Sequence, residues 1–400
     1  MDDQLKPTIV WLHSHFLYWM GGTKFVYEVI KRLSKDFKIL VIVENSTEEV
    51  KKKYDNIGIK LISLNKITST SPFYWILFPI QIFIDFVAIK HILQSYDYQC
   101  VVTSMFPMNI FPRLLRKKHV QYCFEPFAFF HDPNFIKNFP IIKRSLIKLT
   151  SFFYKWLDVS ATKSADRVIT LNKTTAKLIA KIYKIKPRIS LAGIDTKHFR
   201  PFVSQKLLTK YKNVDVIIHS TDYTPVKRTD QMIKIFARVK RQNPKAHLLI
   251  TSTINNIHEK DRLATIAQKL GVKDDIELLG FVNYNTLPQL YSIAKVLVQC
   301  SYSKGSGTTS MALPVKEAMA CGTLCIRFPI KDEDVIDGVT GYLVDPRNIK
   351  EMVNKITKIL CMSQDEYQRA SKKARVAIVK RYNWAYTTDI IKREIDSIIQ

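Results

Sequence analysis

Glycine is scarce in this chain: 11 residues in 400, well below average usage. No repeat or low-complexity tract is present. Each glycine therefore marks a place where the backbone needs a positive φ or a close approach. Acidic residues are also short, 35 Asp and Glu against 62 Lys and Arg, for a net charge of +27. The imbalance is uneven: residues 101–200 hold 19 basic and 5 acidic side chains, a net of +14. Such clustering fits an anionic partner: a membrane surface, a nucleic acid or a polyanion. The six cysteines include no CxxC pair, and Cys321 and Cys325 have no histidine close in sequence. That excludes the common metal-site spacings and a disulfide framework, and it points to a reducing cytosol. The start, MDDQLKPT, lacks the basic-then-apolar pattern of a signal peptide. The most hydrophobic window, Phe73 to Leu93, is interrupted by Pro79, Gln81, Asp85 and Lys90. A bilayer span wants about 20 residues with few charges, so this window reads as a core or interfacial helix.

The length suffices for two domains with full cores. Strand-like runs alternate with helical patterns, the signature of βαβ units and parallel sheets. Thr8 to Leu12, Lys38 to Val43, Cys100 to Thr103, His119 to Tyr122 and Val168 to Leu171 read as strands of one sheet. A helix over Thr23 to Leu33 follows the first strand. A polar stretch opens at Arg200-Pro201, and strands resume at Val214–His219, His247–Thr251, Ile276–Leu279 and Val296–Gln299. The expected division is residues 1–200 and 201–383, with a last helix over 384–400 that returns to the first domain.

Pro314 to Arg327, PVKEAMACGTLCIR, is the most informative segment. Pro314 suits a first helical turn, Gly322 a C-terminal stop, and Leu324 to Ile326 a buried strand. Just before it lie Gly305, Gly307, Thr308, Thr309 and Ser310, which offer backbone N–H groups and hydroxyls at a helix start, where a phosphate can be held. Glu317, one turn into the helix, can accept hydrogen bonds from a ribose diol. An ordinary βαβ connection with a solvated Glu fits the same residues, which alone leave both readings open. Gly21 and Gly22, at the first strand-to-helix turn, allow close approach to a diphosphate, or form a plain tight turn.

PVKEAMACGT resembles the donor-site helix of the family 4 retaining glycosyltransferases, which have the GT-B fold. The family pattern is Glu, seven residues, Glu, then Ala-Met-Ala-x-Gly-Thr. Glu317 matches the second Glu, and the resemblance implies a ribose contact there; the first Glu falls on Thr309. Gly21 and Gly22 stand where the family has Gly-Gly. Tyr122-Cys-Phe-Glu-Pro126 running to His131-Asp132-Pro133 is similar to the family's Tyr-x-His-Glu-Pro…Tyr-Asp-Pro, with Phe124 at the His position and Glu125 and Asp132 matching. The resemblance places Glu125 and Asp132 on the acceptor side, with Glu125 orienting the acceptor or stabilising a developing positive charge; His131 joins them by nearness in sequence, or is a structural histidine. Leu191 to Pro201 resembles the element that ends the N-terminal half. Over Asp222 to Asp230 the family has Arg-x4-Lys-Gly, both cations holding the donor diphosphate. Lys227 matches the Lys, the Arg falls on Asp222 and the Gly on Arg228, which offers a cation from a shifted position.

The resemblance implies two Rossmann-like domains facing a cleft, an α/β GT-B chain. It implies hexose transfer from a nucleotide sugar to a hydroxyl with retention of configuration. Lys227, Glu317 and Glu125 then carry the chemistry, and no cofactor or metal is expected; the DxD-like Asp332–Asp334 reads as a loop carboxylate cluster. A non-catalytic partner subunit and a sugar-nucleotide epimerase of the same fold are the alternatives. A nucleic-acid partner fits the charge but not the donor-helix block. The basic segment Phe135 to Arg188, interleaved with Phe152, Phe153, Tyr154, Trp156 and Tyr183, suits an anionic lipid surface, as does a solvated helical face. The expected location is the cytoplasm, peripheral on the inner face of the cell membrane, with a glycan or lipid-linked acceptor.

Overall fold

The computed structural model describes residues 6–17, 19, 21–64, 66–68, 71–137, 139–221, 223, 227–252, 256–301, 312–329 and 334–399. They cluster into two units, Met1–Gly193 with Trp384–Gln400, and Ile194–Ser303 with Ala312–Asn383. The division falls between Gly193 and Ile194, ahead of Arg200-Pro201.

The first unit is built on a parallel sheet of seven strands: β1 (Thr8–Phe16), β2 (Lys38–Ser46), β3 (Lys60–Ser63), β4 (Cys100–Thr103), β5 (Lys118–Tyr122), β6 (Arg167–Thr170) and β7 (Arg188–Ile189), in the order β3-β2-β1-β4-β5-β6-β7. β1 reads TIVWLHSHF and is buried almost throughout. A parallel strand covered by helices on both sides is buried continuously rather than in alternation, here with His13 and Ser14 carried inside it. The strand order reverses between β1 and β4, and in open α/β sheets ligands bind beside such a switch.

Register shows which helices share a side. Leu12 pairs with Thr103, and Thr103 with Gln121, so all three side chains point the same way. On that side, Val10, Leu12, Leu40, Ile42 and Val101 pack against Ile89 and Leu93. Those two lie on a helix over Phe78–Leu93. Gln121 donates Nε2 to Thr162 Oγ1 at 3.3 Å, on a helix over Ile141–Lys163. Tyr122 points to the other side and meets Phe25, ring centroids 4.7 Å apart. Phe25 belongs to α1 (Gly21–Leu33). The helices already placed on the first side become α2 (Phe78–Leu93) and α3 (Ile141–Lys163), and they lie in one layer. α4 (Lys173–Tyr183) follows β6, its start capped by Asn172 Oδ1, which accepts from Thr175 N at 2.8 Å.

The second unit holds a six-stranded parallel sheet: β8 (Asp215–Thr221), β9 (Ala246–Ser252), β10 (Ile276–Phe281), β11 (Val296–Val298), β12 (Leu324–Arg327) and β13 (Gly341–Leu343), ordered β10-β9-β8-β11-β12-β13. Its switch point lies between β8 and β11. α5 (Thr229–Gln242) follows β8, α6 (Leu313–Ala320) precedes β12, and α7 (Gln364–Arg381) starts on a Ser363–Glu366 capping box. Gly322 stops α6 at φ +89°. Gly280 lies inside β10, at a register shift, with φ +67°, and not after the strand as its sequence position suggests.

The chain then returns to the first unit as α8 (Trp384–Ile399). Trp384 packs so closely on Gly193 that a Cβ there would lie 2.8 Å from the indole. Ser190 Oγ donates to Thr387 O at 3.0 Å, and Thr387 Oγ1 donates to Leu191 O at 2.6 Å.

Candidate functional site

In the second unit the site residues follow the C-terminal ends of β8 and β11. Lys227 and Arg228 sit between β8 and α5, both partly buried. Arg228 is left-handed, φ +54° and ψ +44°, at the residue that caps α5. That conformation costs a non-glycine residue energy, which is a physical reason for glycine at this point of the family pattern. Its Nε lies 3.7 Å from Asp230 Oδ1. The described residues at the two ends of this turn are tied together. Tyr223 N donates to Thr221 Oγ1 at 2.9 Å, Thr221 and Thr229 hydroxyls lie 3.0 Å apart, and Thr229 Oγ1 lies 3.3 Å from His219 Nε2. His219 Nδ1, 2.8 Å from Val298 O, must be the donor there, which ties β8 to β11. No local sequence signal marks His219, Thr221 or Thr229 as supports, because their partners are distant in the chain or packed beneath it.

Glu317 is partly buried on α6. Tyr291 OH donates to its Oε2 at 3.4 Å. Behind it, Ser220 Oγ lies 3.2 Å from Tyr291 OH and accepts from Thr251 Oγ1 at 3.0 Å. Burial, and then the Glu317 charge, push the Tyr291 phenol well above its usual range, so it stays a donor. Three elements thus orient one carboxylate. Tyr291 was not singled out in the sequence, since nothing local distinguishes it from a core tyrosine. Beneath α6, Asp334 is buried and ion-paired to Arg327, with Lys316 Nζ 3.9 Å away. That leaves it a structural carboxylate. Among the described residues no group of three or more His, Cys, Asp and Glu side chains is placed to hold a metal. Asp222, Gly305, Gly307, Thr308, Thr309, Ser310 and Asp332 lie outside the described residues.

In the first unit, Gly21 and Gly22 are the first two residues of α1. A Cβ added at Gly22 would meet open space, so packing within the unit does not demand glycine there. Phe124, in place of the family's His, packs edge-on to Phe25 at 5.3 Å and to Tyr122 at 5.1 Å. Glu125 beside it is partly buried, and burial, then the Asp132 carboxylate, raise its carboxyl from 4.5 to about 7. Asp132 Oδ1 caps the short helix Pro133–Ile136, accepting from Asn134 N at 2.9 Å and Phe135 N at 3.2 Å. Its Oδ2 is buried and has no hydrogen-bond partner among the described residues.

His131 departs from the acceptor-side expectation. Its side chain is 3% exposed, and Nε2 lies 2.7 Å from Asp158 Oδ2 on α3. The same oxygen accepts from Tyr183 OH at 2.7 Å. This buried triad fastens α3 and α4 to the loop. Tyr183 is therefore no surface anchor, and Tyr154 turns inward to Phe78, 4.6 Å between ring centroids; Phe152, Phe153 and Trp156 remain exposed.

Residues 203–377 match the family described as "Glycosyl transferases group 1". The D-inositol 3-phosphate glycosyltransferase of Mycobacterium leprae is 24% identical over 237 residues, 57% of this chain and 53% of that protein. The chain spans about half the length of the curated relatives it matches. A glycosyltransferase structure from Rickettsia africae superposes with a TM-score of 0.78 at 17% identity, covering 98% of this chain and 99% of that one. HepE of Anabaena, in complex with UDP and glucose, gives 0.73 at 16% identity, with 98% and 100% covered. The match to the glycosyl transferases group 1 family thus lies in residues 203–377, and the chain has an α/β GT-B fold of two Rossmann-like units.

Proposed function

We propose that the chain transfers a hexose from a nucleotide-sugar donor to a hydroxyl of a glycan or lipid-linked acceptor, with retention of configuration and without a metal. The observation that supports this most is the second-unit arrangement: Glu317 oriented by Tyr291, and Lys227 with Arg228 on a braced turn, both beside the β8/β11 switch. A carboxylate held by a phenol suits the two hydroxyls of a ribose. Cations just ahead of a helix start suit a diphosphate, and neutralising that leaving group is the main electrostatic task. The leaving phosphate oxygen takes the acceptor's proton, so no strong protein base is required. Gly21 and Gly22 offer N–H groups at a helix start, and the Gly307–Ser310 stretch is assigned to the donor by family likeness. Glu125 and Asp132 form the acceptor side. The HepE neighbour, bound to UDP and glucose, favours a UDP-hexose. The net charge favours an acceptor at an anionic cytoplasmic membrane face.

Thermal shift with UDP-, GDP-, ADP- and dTDP-sugars in EDTA tests the donor site. A ligand at a hundredfold its dissociation constant adds about 2.7 kcal/mol. One nucleotide class should stabilise the protein. Glu317→Ala and Lys227→Ala should each weaken that binding roughly ten- to a hundredfold, since a charge-assisted contact contributes about 1.5–3 kcal/mol. A shift that both variants retain unchanged would sink the assignment. Binding without turnover would point to a non-catalytic partner subunit, the reading that Phe124 in place of a histidine favours.

A further inference from the structure

We infer that the outer face of α2 and α3 is a lipid-docking surface that beds on an anionic bilayer. The inference rests on the membrane-borne acceptor proposed above and supplies the surface that reaches it.

α2 is apolar on both sides. Ile89 and Leu93 pack on the sheet, and Phe78 is buried against Phe106 and Tyr154. Ile80, Phe83, Ile84 and Val87 are exposed, at steps of three and four that place them on one stripe, and Phe73, Ile76 and Leu77 just ahead of α2 are exposed as well. Phe83 is 66% exposed. α3 repeats the pattern: Ile147, Thr150, Asp158, Ala161 and Thr162 are buried, while Ile142, Leu149, Phe152, Phe153 and Trp156 share the opposite side and are exposed, Phe152 at 81%. Both helices cover the same sheet face, so the two stripes point the same way. A monomeric soluble protein rarely leaves so much contiguous apolar surface uncovered.

Charge selects the occupant. The only carboxylates on these helices, Asp85 and Asp158, are buried. Lys143, Lys148, Lys155 and Lys163 are exposed on α3, and Lys90 on α2. The solvent side thus presents cations around aromatic and aliphatic anchors, and no anion. A groove of about 990 Å³ beside the stripe is lined by Arg113, Phe152, Lys155, Trp156, Ser160 and Lys163. Arg113 Nη1 donates to Ser160 Oγ at 2.6 Å, which holds the guanidinium at the groove. Three cations around an indole suit a phosphate headgroup whose acyl chains run along the apolar stripe. A purely apolar patch would suit a protein or a second copy equally; cations alternating with interfacial aromatics favour anionic lipid. Among the described residues no helix is long and apolar enough to cross a membrane, so the face lies on the bilayer.

Flotation with vesicles of phosphatidylcholine, with and without phosphatidylglycerol, tests this. The protein should float with the anionic vesicles and stay behind with the neutral ones, and added salt should weaken binding. Ile80→Ser/Phe83→Ser and Phe152→Ser/Trp156→Ser should each lower partitioning about tenfold or more, with melting unchanged, since these side chains face outward. Lys148→Glu/Lys155→Glu, which touches no apolar contact, should lose a similar factor at low salt and little at high salt. Wild-type protein that stays unbound to anionic vesicles at low salt overturns the inference. So does equal binding by all three variants, or a dimer that the serine variants dissociate. Nucleotide-sugar stabilisation is measured on the same samples: a shift without flotation removes the docking face alone, and flotation without a shift removes the donor reading alone.

Discussion

Glu125 is a carboxylate poised to titrate near neutrality. Burial and the Asp132 charge hold its carboxyl at about 7, so in neutral solution it is shared between its two forms. If the ionised form stabilises positive charge developing on the transferred sugar, the rate should rise with pH through about 7. Glu125→Gln should abolish that inflection and leave a lower, flat profile, whereas donor-induced stabilisation should persist because Glu125 is not among the groups proposed to hold the donor. A retained inflection in the variant would remove Glu125 from the reaction. Asp85 makes a second case, with a consequence for stability. It is fully buried on the inner side of α2, accepts from Gln81 Nε2 at 2.8 Å, and has its carboxyl raised by burial from 3.8 to about 6. A raised acid favours the protonated folded state. Its contribution is intact below about pH 4, and stability falls as pH rises towards 6. Asp85→Asn should therefore stabilise the protein at about pH 8 by up to about 3 kcal/mol and change little at about pH 4. Urea unfolding of both proteins at the two pH values checks this.

At the scale of elements, local pattern carried much of the fold and less of the site. The helix over Trp384 to Ile399 and the stop at Gly322 are written in nearby residues, through apolar spacing and a glycine that the φ of +89° requires. β1 and β2 extend past the expected ends, to Phe16 and Ser46, because His13, Ser14 and Glu44 are polar residues buried inside the strands. β3 and β7 went unread, being short edge-side strands with mixed burial. Composition marked Phe73 to Leu93 as a core or interfacial helix, but not its break at Leu77 or the apolar residues on both faces of α2. Only the sheet register shows which face is covered. Glu317 and Lys227 were legible through motif resemblance. Tyr291, His219 and Thr229 were not, because their value lies in contacts between β8, β11 and the helices beside them. His131 shows the converse: it lies close in sequence to Glu125, yet its bond to Asp158 turns it into the core.

For the whole molecule, chain order and structural unit do not coincide, since α8 ends the described chain but completes the first unit. It buries Trp384, Ile390, Ile391 and Ile395 there, and Gly193 makes room for the indole. Burying four such side chains contributes roughly 6–12 kcal/mol. That is comparable with the whole stability of a domain, about 5–15 kcal/mol, so the first unit should not survive without α8. The second unit keeps its own sheet. A chain truncated after Asn383 should therefore lose the first unit's cooperative unfolding transition and bind a hydrophobic dye. It should retain a second transition that a nucleotide sugar raises. Calorimetry with and without the nucleotide separates the two transitions. A truncated chain that unfolds with both transitions intact would show that the first unit stands without α8, and one in which both vanish would show that the two units fold as one cooperative body.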